Sequence, residues 1–372
     1  MENERDTYGT WHETNGQKYL ELKAPDHYTL GKLEAKFLWP KIWLFKLIIM
    51  LFSLLFLWRG MTYWKMRKIA RQSEPPLKAC AETLPAYAEL IKEMEGIADH
   101  IFGITYDDIL LQNYFIELMY GYLIPRKRYN VPEGFNFGCT AVGGFNKDGR
   151  PLIGQTFDFN PLMRCLSCFV LHRVADKPQV FSFRMGAMLS LPAAKTENGL
   201  SMAVTVVKTR FPTLPIIGTG IRTRYGLENL ETPEQMVQMM NTMPDSIGYN
   251  LLISSERTNS LFAGQLTPKG IRWKRIKKHV ALSNTFNAPE LQEYLYDKKY
   301  SKKRQALAEE LIEKAYKDGF SEEKLMSILS NRSKICKIKT TSFITPNRFG
   351  IGRPCKQSHG KYSIQVRKNR SF

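Results

Sequence analysis

Gly138 and Cys139 lie near the start of the stretch Phe135 to Pro161, FNFGCTAVGGFNKDGRPLIGQTFDFNP, in which short apolar runs alternate with Gly, Asn and Asp. This pattern predicts a strand, a turn and a returning strand, with Asn146-Lys147-Asp148-Gly149 supplying the hairpin chemistry. Cys139 takes the first position of the first strand, and Asp158 lies nineteen residues on, in the second. With the turn near residue 148, positions 139 and 158 fall opposite each other, within reach of a hydrogen bond. A cysteine that opens a strand is most often a small buried hydrophobe. What sets Cys139 apart is the glycine before it and the carboxylate across from it. No histidine lies near it in the sequence to serve as its base.

The remaining cysteines, Cys80, Cys165, Cys168, Cys336 and Cys355, are too few for a disulfide framework in 372 residues and read as free thiols. Cys165 and Cys168 form a CxxC, but neither a second CxxC nor paired histidines complete a metal site. The reading therefore calls for no metal and no cofactor.

The elements that must position Cys139 follow from periodicity. Residues 60–125 read as helices, with apolar positions three and four apart and Pro75-Pro76 marking a start. Strands are expected at 169–174, 179–185, 200–208, 250–254, 259–264 and 270–274, helices at 232–241, 289–297 and 301–328, and a last β region at 340–366. Strand-rich segments enclosing helical ones predict an α+β layered domain with antiparallel sheets. The chain divides as an N-terminal segment 1–36, a hydrophobic and basic helix 37–71, a helical region 72–138 and a strand-rich domain 139–372 that begins at Cys139. A 43% hydrophobic content supports a sizeable core. The 54 basic against 35 acidic residues, a net charge of +19, favour anionic partners. No zinc-finger spacing, RNA-binding aromatic signature or basic zipper is present, which turns the expectation from nucleic acid toward phospholipid.

In order and spacing, these residues resemble the N-terminal-nucleophile (Ntn) linear-amide hydrolases. The branch they are most similar to is peptidase family C45, the acyl-coenzyme A:6-aminopenicillanic acid acyltransferase type, related to choloylglycine (bile-salt) hydrolases and acid ceramidases. The matching stretches are Gly138-Cys139-Thr140, Gly-Gln-Thr-Phe-Asp-Phe at 154–159, Glu-Asn-Gly-Leu at 197–200 and Ser-Asn-Thr-Phe at 283–286. Upstream, Tyr28 to Gly31, Glu95 to Ala98 and Asp108 to Leu110 also match. The resemblance implies an αββα four-layer sandwich with antiparallel sheets. It also implies an autocatalytic cut between Gly138 and Cys139, so that Cys139 becomes both nucleophile and N-terminus. A free α-amine, with a reference pKa of about 7.7–8.0, can then take the thiol proton. By the same resemblance Asp158 orients that amine, Asn284 donates to the oxyanion, and Thr205 is the nearest candidate for a second polar contact. Gln155 stands where bile-salt hydrolases carry an arginine. The supporting late cation falls among Lys337, Lys339 and Arg348. The implied activity is hydrolysis of, or transfer from, a linear amide or thioester through an acyl-Cys139 intermediate.

Residues Ile42 to Trp58, IWLFKLIIMLFSLLFLW, are interrupted only by Lys46 and Ser53, and five cations follow between Arg59 and Arg71. At 1.5 Å per residue the run reaches roughly 25 Å, short of a roughly 30 Å hydrocarbon core. The cations place its C-terminal flank at the inner leaflet, so the expectation is a membrane-associated protein with the catalytic domain on the cytoplasmic side. A single span would put Tyr28–Gly31 and Glu95–Ala98 on opposite faces, so a monotopic or re-entrant helix is preferred to a transmembrane helix. The expected partners are a small amide or acyl substrate, an N-acyl lipid among them, and an anionic membrane surface, with no nucleic acid. The alternative is a catalytically silent, membrane-associated binding protein of the same fold, which predicts an intact chain and an unreactive Cys139.

Overall fold

The computed structural model describes residues 7–14, 16–126, 138–158, 161–189, 193–213, 217–242, 245–296, 301–331, 335 and 340–345. Two strands, β1 (Tyr8–Thr14) and β2 (Gln17–Ala24), precede the long helix α1 (His27–Leu54). Helices α2 (Tyr63–Arg71), α3 (Glu74–Thr83), α4 (Pro85–Asp99), α5 (Tyr106–Asn113) and α6 (Phe115–Glu117) follow, the last running into a π-helical turn over Leu118–Leu123. The core then alternates strands and helices. Strands β3 (Gly138–Phe145) and β4 (Pro151–Asp158) come first, then the short α7 (Pro161–Arg164). Strands β5 (Ser167–Val174), β6 (Val180–Met185), β7 (Ala193–Thr196) and β8 (Leu200–Val207) lead to helices α8 (Thr219–Asn229) and α9 (Pro233–Asn241). Strands β9 (Gly248–Ser255), β10 (Ser260–Thr267), β11 (Gly270–Arg275) and β12 (His279–Ser283) come before helices α10 (Lys302–Lys317) and α11 (Glu322–Leu329), and β13 (Thr340–Thr345) is last.

The strands form two sheets, β1-β2-β5-β6-β7-β8-β9-β10-β11 and β12-β3-β4-β13, antiparallel throughout except for the parallel β2–β5 pair. Period-two alternation along β3 and β4 separates two cores. Ala141 and Ile153 face the larger sheet and meet Ala203, Leu252 and Leu261. Val142 and Leu152 face the other way and meet Ala308 and Ile312 of α10 and Leu325 of α11. Helices α1, α4, α8 and α9 cover the far side of the larger sheet. The layers are therefore helix, sheet, sheet, helix, as the sequence implied.

Several boundaries differ from the sequence reading. The helix containing the apolar run begins at His27, ten residues before the expected 37, because the Asp26 side chain accepts from Thr29 N–H at 2.7 Å and caps it. Residues 8–24 join the large sheet through β2, which pairs with β5. The segment 301–328 is two helices, broken at Gly319 with φ +85°.

A buried set of charges fastens α1 to this body. Arg184 of β6 pairs with Glu34 at 2.9 Å, and Arg224 of α8 pairs with Glu93 at 3.2 Å and Glu228 at 2.7 Å. His27 Nδ1 lies 2.7 Å from Glu93, with Glu228 at 3.5 Å and the half-exposed Glu89 at 3.9 Å. Glu89 is itself paired with Lys177 at 2.8 Å. Burial alone would raise the Glu34 carboxyl, but Arg184 and His172 outweigh it and hold it at about 2. Burial and Arg224 push His172 down to about 3, so it is neutral. Three carboxylates then face two guanidiniums, and a cationic His27 closes the balance. Burial lowers its pKa, but the Glu93 hydrogen bond and Glu228 more than offset this, leaving it above the ordinary value. A raised folded-state pKa means stability that is complete below the unfolded value of about 6.5 and lost as pH rises through the folded one. Melting temperatures taken from pH 6 to 9 should fall across that window in the wild type, and His27→Gln should flatten the slope. Identical slopes would refute the assignment.

Candidate active site

Strand pairing sets the site. Gly138 pairs with Asp158, and Cys139 pairs with Phe157, one residue away from the expected opposition of 139 and 158. The turn spans Asn146 to Arg150, with the Asn146 carbonyl accepting from Gly149 N–H. A one-residue change of register moves a side chain to the other face of a sheet. Cys139 therefore shares the inter-sheet face with Ala141, while Asp158 sits on the face toward α10.

The Cys139 main-chain N–H donates to Asn284 Oδ1 at 2.8 Å, and Asn284 Nδ2 donates to the Val206 carbonyl at 2.6 Å. That network fixes the orientation of the amide. Arg304, on the buried stripe of α10 with Ala308, Ile312 and Ala315, also donates to Asn284 Oδ1, and its Nη1 lies 3.4 Å from Asp158 Oδ2. The Asp158–Arg304 pair thus borders the peptide nitrogen of Cys139 rather than its sulfur. A Cβ on Gly138 would lie 2.7 Å from Arg304 Nη1 and 3.2 Å from the Asp158 side chain, so glycine is the residue that lets the pair approach.

Cys139 is buried, and burial pushes its thiol up to about 12 against the pull of Arg304, with Asp158 adding to the rise. Asn284 and the Val206 main chain act in the other direction, toward the thiolate, without offsetting burial. At rest the thiol is protonated, and among the described residues no histidine hydrogen-bonds to it.

Thr205 and Gln155 lie in the same inter-sheet layer but are engaged with main chain. Thr205 Oγ1 donates to the Ser283 carbonyl at 3.0 Å, and Gln155 bridges to Val204 through both ends of its amide, at 2.6 and 2.9 Å. Lys337, Lys339 and Arg348 lie outside the described residues. Arg304, a residue the sequence reading did not name, supplies the cation beside Asp158. An arginine recurring in register with alanine and isoleucine on one helix face was the available signal. Asn250 and Gln265 were also missed. Asn250 Nδ2 donates to the carbonyls of Ser283 and Thr285, and Gln265 Oε1 accepts from Asn287 and Ala288 N–H, so together they hold the loop that carries Asn284. Gln305 clamps α10 to β12 by accepting from Ser283 N–H and donating to the Ala281 carbonyl.

The model of the acyl-coenzyme A:6-aminopenicillanic acid acyl-transferase family matches residues 145–348, more than half of the chain, beginning just after Cys139. A protein of Archaeoglobus fulgidus described as uncharacterized is 26% identical over 180 residues, 46% of this chain. The chain spans 28% of the length of that curated relative. Among solved structures, the Caenorhabditis elegans ortholog of N-acylethanolamine-hydrolyzing acid amidase is similar at 14% identity and a TM-score of 0.43, covering 55% of this chain and 92% of its own. A mutant conjugated bile acid hydrolase from Clostridium perfringens is similar at 14% identity and a TM-score of 0.30, covering 38% of this chain and 52% of its own. With its match over residues 145–348, more than half its length, the chain belongs to the acyl-coenzyme A:6-aminopenicillanic acid acyl-transferase family.

Proposed function

We propose that the protein cuts itself before Cys139 and then hydrolyses, or transfers the acyl group of, a linear amide or thioester through an acyl-Cys139 intermediate. The observation that carries this reading is the convergence on one residue of two kinds of support. Asn284, its amide held by the Val206 carbonyl, accepts from the Cys139 main-chain N–H, and the Asp158–Arg304 pair joins the same Asn284 oxygen beside that nitrogen.

In maturation the thiol adds to the Gly138 carbonyl, the carbon–nitrogen bond breaks, and the Gly138 acyl group passes to sulfur. Water hydrolyses this thioester and leaves a free amine on Cys139. In turnover that amine takes the thiol proton, and the thiolate adds to the substrate carbonyl. The oxyanion sits between Asn284 Nδ2 and the Val206 N–H, the ammonium protonates the leaving group, and water or an acceptor amine releases the acyl group. Asp158 holds the amine, and Arg304 holds Asp158 in place. The apolar α1 and the cations after it support a membrane-associated enzyme, its catalytic domain on the cytoplasmic side, acting on an N-acyl lipid.

Intact mass and N-terminal sequencing should find an N-terminus at Cys139, and an acyl-fluoride probe should label that residue ahead of the other cysteines. Active protein that stays uncut would refute the N-terminal-amine mechanism. Asn284→Ala should lower the rate of acyl-fluoride labelling by about 10²–10³-fold through loss of one oxyanion donor. An unchanged labelling rate would remove Asn284 from the chemistry.

A further inference from the structure

One side of the helical region is apolar and open to solvent. From residue 39 to the end of α1 the exposed large side chains are Trp39, Leu47, Met50, Leu51 and Leu54. Their spacing of i, i+8, i+11, i+12 and i+15 keeps to one side of the helix, a stripe about 22 Å long at 1.5 Å per residue. The patch continues through Trp58, 77% exposed, and Trp64 on α2, 69% exposed. Phe102, 97% exposed, stands on the neighbouring loop, where its carbonyl accepts from Trp43 Nε1–H at 3.0 Å.

The charges that the patch's own segment carries have one sign, although Arg67 is paired with Asp107 at 3.1 Å and Asp108 at 3.3 Å. From residue 35 to 73 there is no aspartate or glutamate. The Arg59 guanidinium lies over the Trp58 ring at 4.1 Å, Arg67 lies over Trp64 at 5.0 Å, and Lys65 and Lys68 are exposed beside them. Aromatic rings at the edge of an apolar stripe, with cations against them, match the boundary between acyl chains and anionic head groups.

The other side of α1 is committed to the protein. Leu38, Ile42, Phe45, Ile49 and Phe52 are buried in the core, and Lys46 pairs with Asp108 at 2.8 Å. Lipid on all sides of α1 would require stripping that core and breaking that pair.

We infer that the exposed stripe of α1, with Trp58, Trp64 and Phe102, docks the protein in the plane of an anionic phospholipid surface without crossing it. This deepens the membrane association proposed above and rests on it, not on the chemistry of Cys139. The test uses the full chain with vesicles of phosphatidylcholine, with and without phosphatidylserine. Wild-type protein should float with the anionic vesicles, with tryptophan emission shifted to the blue and quenched by lipids brominated near the head group. The double variant Leu51→Glu/Leu54→Glu, changed only at exposed positions, should bind at least ten-fold more weakly and label at Cys139 as the wild type does. Undiminished binding by that variant would overturn the inference. So would a wild-type dimer that ignores vesicles and is split by the variant, because a second copy would then cover the face. Protection of residues 7–24 from protease added outside sealed vesicles, lost when detergent opens the vesicles, would overturn it as well, because protection by the folded sheet survives detergent and protection by a span does not. Vesicle binding together with an inert Cys139 would support docking and count against the enzyme reading alone.

Discussion

Cys139→Ala should yield one uncut chain of full mass, with acyl transfer reduced by 10⁴-fold or more, on the order expected for loss of a nucleophile. The substitution removes one sulfur from a buried site between sheets, and the surrounding network runs through the main-chain N–H of residue 139, which alanine keeps. The fold should therefore survive, with a melting temperature near that of unprocessed protein. Cys139→Ser separates the two stages, because a hydroxyl can still attack Gly138 slowly yet is a poor acyl acceptor at the same position. Slow cutting with little turnover is the expected pattern. Full activity in the alanine variant would remove Cys139 from the reaction and leave the silent binding protein as the better reading.

Arg304→Met should impair both maturation and turnover, and should destabilise the fold by about 3–5 kcal/mol, the usual result of leaving one member of a buried ion pair alone. Asp158 would lose the guanidinium at 3.4 Å, and Asn284 Oδ1 would lose one of its two donors. Asp158→Asn removes the same pair from the other side. The double variant Arg304→Met/Asp158→Asn should recover part of the stability while staying inactive, because the uncompensated charge is gone but the amine still lacks its anionic partner. A double variant as unstable as the sum of the two singles would show that the pair is not coupled, and normal processing in Arg304→Met would make Arg304 purely structural.

The hairpin was legible because its turn residues and its period-two alternation are local signals that agree with each other. Its register was not, since a shift of one depends on how the Asn146–Arg150 turn closes. That shift decides whether Asp158 addresses the sulfur or the nitrogen of Cys139. The layer order followed from the family resemblance and the strand spacing, but β1 and β2 escaped notice even though Gly16 sits at their turn with φ +72°. Arg304 was hidden inside the basic run Lys302-Lys303-Arg304, where composition suggests a solvated face. Only the helix phase, set by Ala308 and Ile312 one and two turns on, turns that arginine inward. Asn250 and Gln265 were hidden for a related reason, because a polar residue within a strand reads as solvent-facing until two sheets are known to enclose it.

Cutting at Gly138 would also change the molecularity of folding. The polypeptide before the cut contributes β1, β2 and α1 through α6, and the one after it contributes β5 to β11 of the same nine-stranded sheet. With β2 seated against β5 and Glu34 and Glu93 paired to arginines on the other piece, the two products would form an obligate heterodimer made from what was tertiary structure. Unfolding such a molecule releases two chains, so refolding becomes second order and depends on concentration. The mature form would owe its lifetime to the barrier against opening, having given up the covalent link that made its own assembly unimolecular.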